Sequence, residues 1–211
     1  MDSNQRLTRQ AASDAVSHLG WRYVLGTFMT SVPVRSLAEA ADVATAVGGT
    51  APDGRARIDL RPDRVEIIVG PGVTRDDIAL VQRISAVVPD RGPGERRTVQ
   101  LLEIAIDAID IPAVRPFWRA VLGYVDDPDG ALSDPVGEGP AVWFQQMDAP
   151  REQRNRIHLD ISVPHDEAAD RIDATLAAGG KLLSDAEAPA FWVLADAEGN
   201  EACVTTWQGR D

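Results

Sequence analysis

The sequence predicts an α+β protein built from two units, on three observations. Residues 89–97 read Pro89-Asp90-Arg91-Gly92-Pro93-Gly94-Glu95-Arg96-Arg97. Two prolines, two glycines and five charges in nine residues cannot join a core, so this run is a linker. After it, from about residue 98 to 211, a strand–helix–strand order occurs twice at a spacing of about 55 residues, the mark of an internal duplication. Before it, residues 1–88 follow a different order: helix, strand, helix, two strands, helix.

In the first unit, residues 4–17 place Leu7, Ala11 and Val16 near one helical face. Trp21 to Val32 is aromatic and β-branched, hence strand-like. Ser36 and Glu39 form a capping box, in which serine and glutamate satisfy free backbone donors at a helix start. That helix runs to Gly48-Gly49. Residues 56–60 and 64–69 read as an antiparallel hairpin. Thr74 caps a last helix with Asp77 three residues on, and its apolar face carries Ile78, Val81 and Ile84.

In the second unit, residues 99–108 read as a strand. Asp110 opens a helix that ends at Leu122-Gly123, with Pro116 awkwardly deep inside it. Residues 131–134 and 141–147 follow as strands. The order then restarts with a strand over 156–163, a helix over 166–178, and strands over 190–195 and 201–207. Strand alternation sorts the faces. Leu102, Ile104, Ile106, Val142, Phe144, Ile157, Leu159, Ile161, Val163, Ala202 and Val204 fall under the helices. The opposite face carries Glu103, Ala105, Asp107, Trp143, Gln145, Met147, Arg156, His158, Asp160, Ser162, Glu201, Cys203 and Thr205. Two half-sheets with one uncovered face each make a cup for a small molecule.

Composition narrows the setting. The 211 residues carry a formal charge of −12, the wrong sign for tracking phosphates, so nucleic acid is not expected as a partner. No apolar run reaches the roughly 18 residues of a membrane span, and the first residues, MDSNQRLTRQ, lack the apolar block of a signal peptide. A single cysteine, Cys203, permits no internal disulfide and points to a reducing, cytoplasmic setting. Lys181 is the only lysine, and the arginines are scattered.

Four inward residues sit at strand centres: Glu103, Gln145, His158 and Cys203. A carboxylate, an imidazole and a thiol each offer a lone pair, so Glu103, His158 and Cys203 are the candidate ligands of a divalent metal such as zinc, iron or manganese. The competing reading needs no cofactor: His158 is then a polar wall residue and Cys203 a small buried hydrophobe. Trp143 and Trp207 face inward by alternation, placed either to stack on a flat ligand or to fill the cup. Two histidines read as bystanders, His18 on a polar helix end and His165 in a loop before Asp166-Glu167.

Several runs resemble a known family. Glu103-Ile104-Ala105-Ile106-Asp107, Asp110 to Pro112, Phe117 to Tyr124, Arg156-Ile157-His158-Leu159-Asp160 and Asp196-Ala197-Glu198-Gly199-Asn200-Glu201-Ala202-Cys203 look like a glyoxalase-like domain of the vicinal oxygen chelate superfamily. That resemblance covers about 110 residues and implies paired βαβββ modules. Metal-dependent members take one ligand near each of four strand centres, usually His or Glu. Carried over by position, these are Glu103, Gln145 (or Gln146), His158 and Cys203. Cys203 stands where Glu is usual, which departs from metal-polarised enediolate chemistry.

The first unit resembles pterin-4a-carbinolamine dehydratase, from Gly20-Trp21 through Ala56-Arg57-Ile58-Asp59-Leu60-Arg61-Pro62-Asp63-Arg64-Val65 to Gly72-Val73-Thr74-Arg75-Asp76-Asp77-Ile78-Ala79-Leu80. The resemblance implies an α/β domain with an antiparallel sheet. The family's proton-moving histidines are missing: Gly54, Arg55 and Ala56 occupy the place of its His-His-Pro, and Gly70-Pro71-Gly72 that of its third histidine. Arginine cannot replace a titrating imidazole near neutral pH.

The expectation is therefore a small-molecule binding protein: a glyoxalase-like cup beside an inactive dehydratase-like domain, as a homo-oligomer, most simply a dimer. One alternative is a glyoxalase-like lyase, isomerase or dioxygenase using Glu103 or His158 as base with Asp160 or Cys203 assisting, and ligand contacts from Trp143, Gln145, Cys203 and Trp207. The other is an assembly or regulatory protein.

Overall fold

A computed structural model describes residues 7–51, 54–88, 99–128, 130–150 and 157–209. The chain divides into two compact units, Met1–Leu101 and Leu102–Asp211. The charged run 89–97 lies outside the described residues.

The first unit contains α1 (Arg9–Ser17), β1 (Arg22–Val24), β2 (Thr27–Pro33), α2 (Leu37–Gly48), β3 (Ala56–Arg61), β4 (Arg64–Val69) and α3 (Arg75–Val87). Its antiparallel sheet runs β1-β2-β4-β3. The stretch expected as one strand from Trp21 to Val32 is a hairpin. Leu25 and Gly26, at φ 44° and 77°, reverse the chain between Val24 and Thr27, which face each other. Two successive positive φ values suit Gly26 but not Leu25, so the sequence did not advertise the turn. Trp21, Phe28, Val32, Val43, Val47, Ile67, Val81 and Ile84 form the core, and the Trp21 indole N–H donates to Ser85 Oγ at 2.9 Å. The α2 cap is half of the expected box: Ser36 Oγ accepts from Glu39 N, while the Glu39 carboxylate turns back to Arg35 N. His18 is exposed at the end of α1.

The second unit contains β5 (Glu103–Ala108), α4 (Ile111–Leu122), β6 (Val125–Asp126), β7 (Leu132–Ser133), β8 (Ala141–Gln146), β9 (Leu159–Ser162), α5 (Ala168–Ala177), β10 (Lys181–Ser184), β11 (Phe191–Ala195) and β12 (Glu201–Thr205). Two four-stranded sheets have the same winding, β5-β8-β7-β6 and β9-β12-β11-β10. In each, the first and last strands pair in parallel and the rest antiparallel. The duplication is thus a true repeat of βαβββ. The sequence reading missed β6, which is two residues long, and β10, an exposed edge whose pairing shifts register between Leu182 and Ser184. Pro116 is tolerated inside α4, whose start is fixed by Asp110 Oδ1 accepting from Ala113 N at 3.1 Å.

One core serves both repeats: Ile106, Val114, Phe117, Trp118, Val121, Leu132, Val142, Leu194, Ala202 and Val204 are buried together, with Trp192 packed against them. Two residues expected there are not in it. Leu102 is 68% and Ile157 80% exposed, because β5 begins at Glu103 and β9 at Leu159, so alternation does not reach them. No helix among the described residues is long and apolar enough to cross a membrane.

Candidate functional site

The face away from α4 and α5 carries the polar side chains that alternation assigns to it. In the parallel ladder of β9 and β12, Asp160 lies opposite Cys203 and Ser162 opposite Thr205. Paired residues share a face, so the carboxylate and the thiol are neighbours by construction. His158 lies one residue before β9, and its ring meets both groups. His158 Nδ1 is 3.1 Å from Asp160 Oδ1 and 3.7 Å from Cys203 Sγ. The imidazole and carboxylate are about half exposed, whereas Cys203 is 6% exposed. The thiol forms the floor of the cluster and the other two groups its open rim. On the rung beyond, Ser162 Oγ and Thr205 Oγ1 are 2.9 Å apart.

The first repeat presents a different set. Glu103 lies opposite Ala141, Ala105 opposite Trp143 and Asp107 opposite Gln145. Trp143 is 38% exposed and Gln145 is exposed. The Gln146 amide donates to the carbonyls of Ile109 at 2.8 Å and Met147 at 3.0 Å, securing the end of β5. Trp207 is not positioned by alternation, because β12 ends at Thr205. Its indole N–H points to His165 Nδ1 at 3.3 Å, the two rings meet edge to face, and the tryptophan is 64% exposed.

Of the residues proposed as metal ligands, His158 and Cys203 come together and Glu103 does not join them. Among the described residues, the group whose donor atoms all lie within 4.8 Å of one another is His158, Asp160 and Cys203. Its donor chemistry fits a zinc-class ion. With Zn–N and Zn–O near 2.0 Å and Zn–S near 2.3 Å, tetrahedral ligands stand about 3.3 Å (N to O) and about 3.6 Å (N to S) apart. The observed separations are 3.1 and 3.7 Å.

The run Asp196-Ala197-Glu198-Gly199-Asn200 turns out to be architectural. Asp196, 1% exposed, accepts from the buried Trp118 indole at 2.9 Å, from Glu198 N at 3.0 Å, and from Asn200 N at 2.9 Å and Asn200 Nδ2 at 2.8 Å. The Glu198 carboxylate caps the approach to α4, accepting from Ile109 N at 2.9 Å and Asp110 N at 2.6 Å. The other end of α4 is held by Arg171 of α5, whose Nη1 donates to the Val121 carbonyl at 3.0 Å. The β11–β12 turn and α5 of one repeat therefore clamp both ends of the other repeat's helix. A matching carboxylate turn sits in the first repeat, where Asp134 accepts from Val136, Glu138 and Gly139 N–H groups. An aspartate followed at two and four residues by turn amides signals such a loop, and the sequence reading did not use that signal.

In the first unit, Arg55 immediately precedes β3. Its guanidinium binds Asp77 through two contacts, of 2.6 and 2.5 Å, and donates to the Pro71 carbonyl at 3.1 Å and that of Gly72 at 3.4 Å. Asp77, 3% exposed, also accepts from Thr74 N and Oγ1 at 2.7 and 2.8 Å. Burial pushes the Asp77 carboxyl up, but the donors from Arg55 and Thr74 outweigh it and hold the group below its ordinary range.

With this geometry in place, residues 103–205 match the family model of the glyoxalase-like domain. They form a glyoxalase-like domain. A glyoxalase/bleomycin resistance protein/dioxygenase family enzyme from Burkholderia phytofirmans PsJN is similar at 17% identity, over 49% of this chain and 95% of that one, with a TM-score of 0.42. A glyoxalase-related enzyme from Fulvimarina pelagi is similar at 19% identity, over 51% of this chain and 87% of its own, with a TM-score of 0.41. A transcriptional coactivator/pterin dehydratase from Brucella melitensis is similar at 21% identity, over 40% of this chain and 100% of its own, with a TM-score of 0.37. No curated protein matches the sequence.

Proposed function

We propose that the glyoxalase-like unit binds a small molecule against the His158–Asp160–Cys203 centre, with Trp143 as an apolar wall. The observation that carries this reading is the convergence of those three side chains on the sheet face that the helices leave uncovered. Three polar groups in a small space, two of them half exposed, are what fixes the orientation of a small ligand. The test is a thermal-shift screen of the full chain against metabolites and planar aromatic compounds, repeated with His158→Ala and Trp143→Ala. Hits weakened by both substitutions support the reading, and a flat response across a broad library would sink it.

The first unit, on the same proposal, is a dehydratase-like domain without the dehydratase reaction. Its only histidine is His18, and Arg55 is fully engaged in binding Asp77 and two backbone carbonyls. A carbinolamine dehydration rate well above background would overturn this. The expected setting is cytoplasmic and the expected assembly a homodimer, which sedimentation at several concentrations tests.

A second reading, a lyase, isomerase or dioxygenase, is favoured by one contact. A carboxylate bound to an imidazole fixes its tautomer and ring orientation, and Asp160 lies 3.1 Å from His158. His158→Ala should then abolish turnover of any substrate found; unchanged turnover excludes His158 as the base.

A further inference from the structure

We propose that the second repeat, by itself, holds a zinc-class divalent cation through His158, Asp160 and Cys203. Glyoxalase-like domains that bind metal draw ligands from all four central strand positions, two in each repeat. The donors here come from two adjacent strands of one sheet, and one of them, Asp160, lies outside those four positions. Ladder pairing sets Asp160 beside Cys203, and His158, one residue before β9, contacts both side chains. The three donors therefore keep their spacing without any contribution from β5 or β8.

Three features select the ion. A thiolate with an imidazole prefers zinc or cobalt over magnesium, calcium or manganese, which favour oxygen-rich shells. Thiolate and carboxylate together neutralise a dication, so the loaded centre carries no net charge and suits the partly buried floor where Cys203 sits. Three protein ligands leave one position open. With His158 and Asp160 half exposed, a ligand from solvent would be able to reach that position. Binding deprotonates the thiol and releases its proton to solvent, so affinity rises with pH as the thiolate forms. The proposal rests on the small-molecule reading only for what the open position receives, namely an oxygen or nitrogen donor of the ligand.

The experiment titrates chelator-treated full-length protein with cobalt(II), reading the thiolate-to-cobalt charge-transfer band, and displaces the cobalt with zinc in a calorimeter. One cobalt per chain is expected. Cys203→Ser should abolish the band, His158→Ala and Asp160→Ala should weaken binding by at least about tenfold, and Glu103→Gln should leave it within about twofold. Circular dichroism confirms that each variant is folded, and Cys203→Ala provides a second thiol-free variant if the serine fails to fold. No charge-transfer band and no zinc heat would overturn the proposal. Loss of affinity in Glu103→Gln equal to that in Asp160→Ala would overturn it too, since the site would then span both repeats. Small-molecule binding that persists in metal-free protein showing no cobalt uptake defeats the ion and spares the binding reading. Cobalt uptake with no small-molecule response defeats the binding reading and spares the ion.

Discussion

Replacing Asp196 by alanine should destabilise the glyoxalase-like unit by about 3–4 kcal/mol, although the residue is not part of the His158–Asp160–Cys203 group. Asp196 accepts four hydrogen bonds from three residues. Truncation leaves the Trp118 indole N–H without an acceptor in a place where that side chain is 3% exposed. One buried unsatisfied donor costs about 1–3 kcal/mol. The Glu198 and Asn200 amides lie at a turn that water reaches, so they add about 0.5–1 kcal/mol each. The loosened turn also releases the Glu198 carboxylate from the start of α4. Urea unfolding followed by tryptophan fluorescence reads this, since four of the five tryptophans lie within residues 102–211. At a slope near 2 kcal/mol/M the midpoint should fall by about 1.5–2 M. Asp196→Asn keeps an acceptor oxygen and should lose about half as much. Combining Asp196→Ala with Trp118→Phe should show a coupling of about 1 kcal/mol or more. An alanine variant within about 0.5 kcal/mol of the parent would refute the claim that this motif is a structural clasp.

Two further predictions concern the supports of the fold. At neutral pH Arg55→Ala should cost about 2–3 kcal/mol, because it strands the buried Asp77 carboxylate. The Asp77 carboxyl is lowered in the folded state, so its contribution is complete above the unfolded value and is lost as pH falls through the folded one. The stability gap between parent and variant should accordingly narrow as pH drops below about 4, measured by urea unfolding across pH; a gap independent of pH would refute the linkage. Gly123 sits at φ 70°, and a Cβ there would lie 2.9 Å from the Arg171 guanidinium. Gly123→Ala should therefore cost about 1–2 kcal/mol in the same assay, from left-handed strain plus a displaced Arg171 cap on the Val121 carbonyl.

What the sequence made legible was periodic. Alternation over Leu159 to Ser162 and Glu201 to Thr205 needs only the two-residue repeat of a strand, and it placed Asp160 and Cys203 on one face; His158, just before β9, joins them through its contacts. Helix stops at Gly123 and Gly179 follow from local backbone preference. What stayed hidden depended on ends and on distant partners. Leu102 and Ile157 were assigned to the core because a strand's first residue is fixed by which partner it meets, and periodicity carries no such information. Asp196 and Glu198 act on Trp118 and on the backbone at Ile109–Asp110, some 80 residues away. Nothing local marks those partners. Arg55 was legible only as a missing histidine; its binding to Asp77 appears once β3 and α3 are placed.

The ladders also show why the donor cluster is confined to one repeat. Asp107 lies opposite Gln145 as Asp160 lies opposite Cys203. Two residues before each aspartate stand Ala105 and His158. By spacing from the aspartate, then, the first-repeat counterpart of His158 is Ala105, and Glu103 lies one pleat further out. Both repeats keep the aspartate, so the carboxylate is the shared feature of the duplicated frame. The imidazole and the thiol are peculiar to the second copy, where Ala105 and Gln145 offer the first copy a methyl and a neutral amide. A methyl and an amide cannot complete a three-donor set with Asp107, whatever the distance between the sheets. The two helix-free sheet faces are therefore chemically unequal: both carry carboxylates, but the second adds an imidazole and a thiol where the first has Trp143 and an amide.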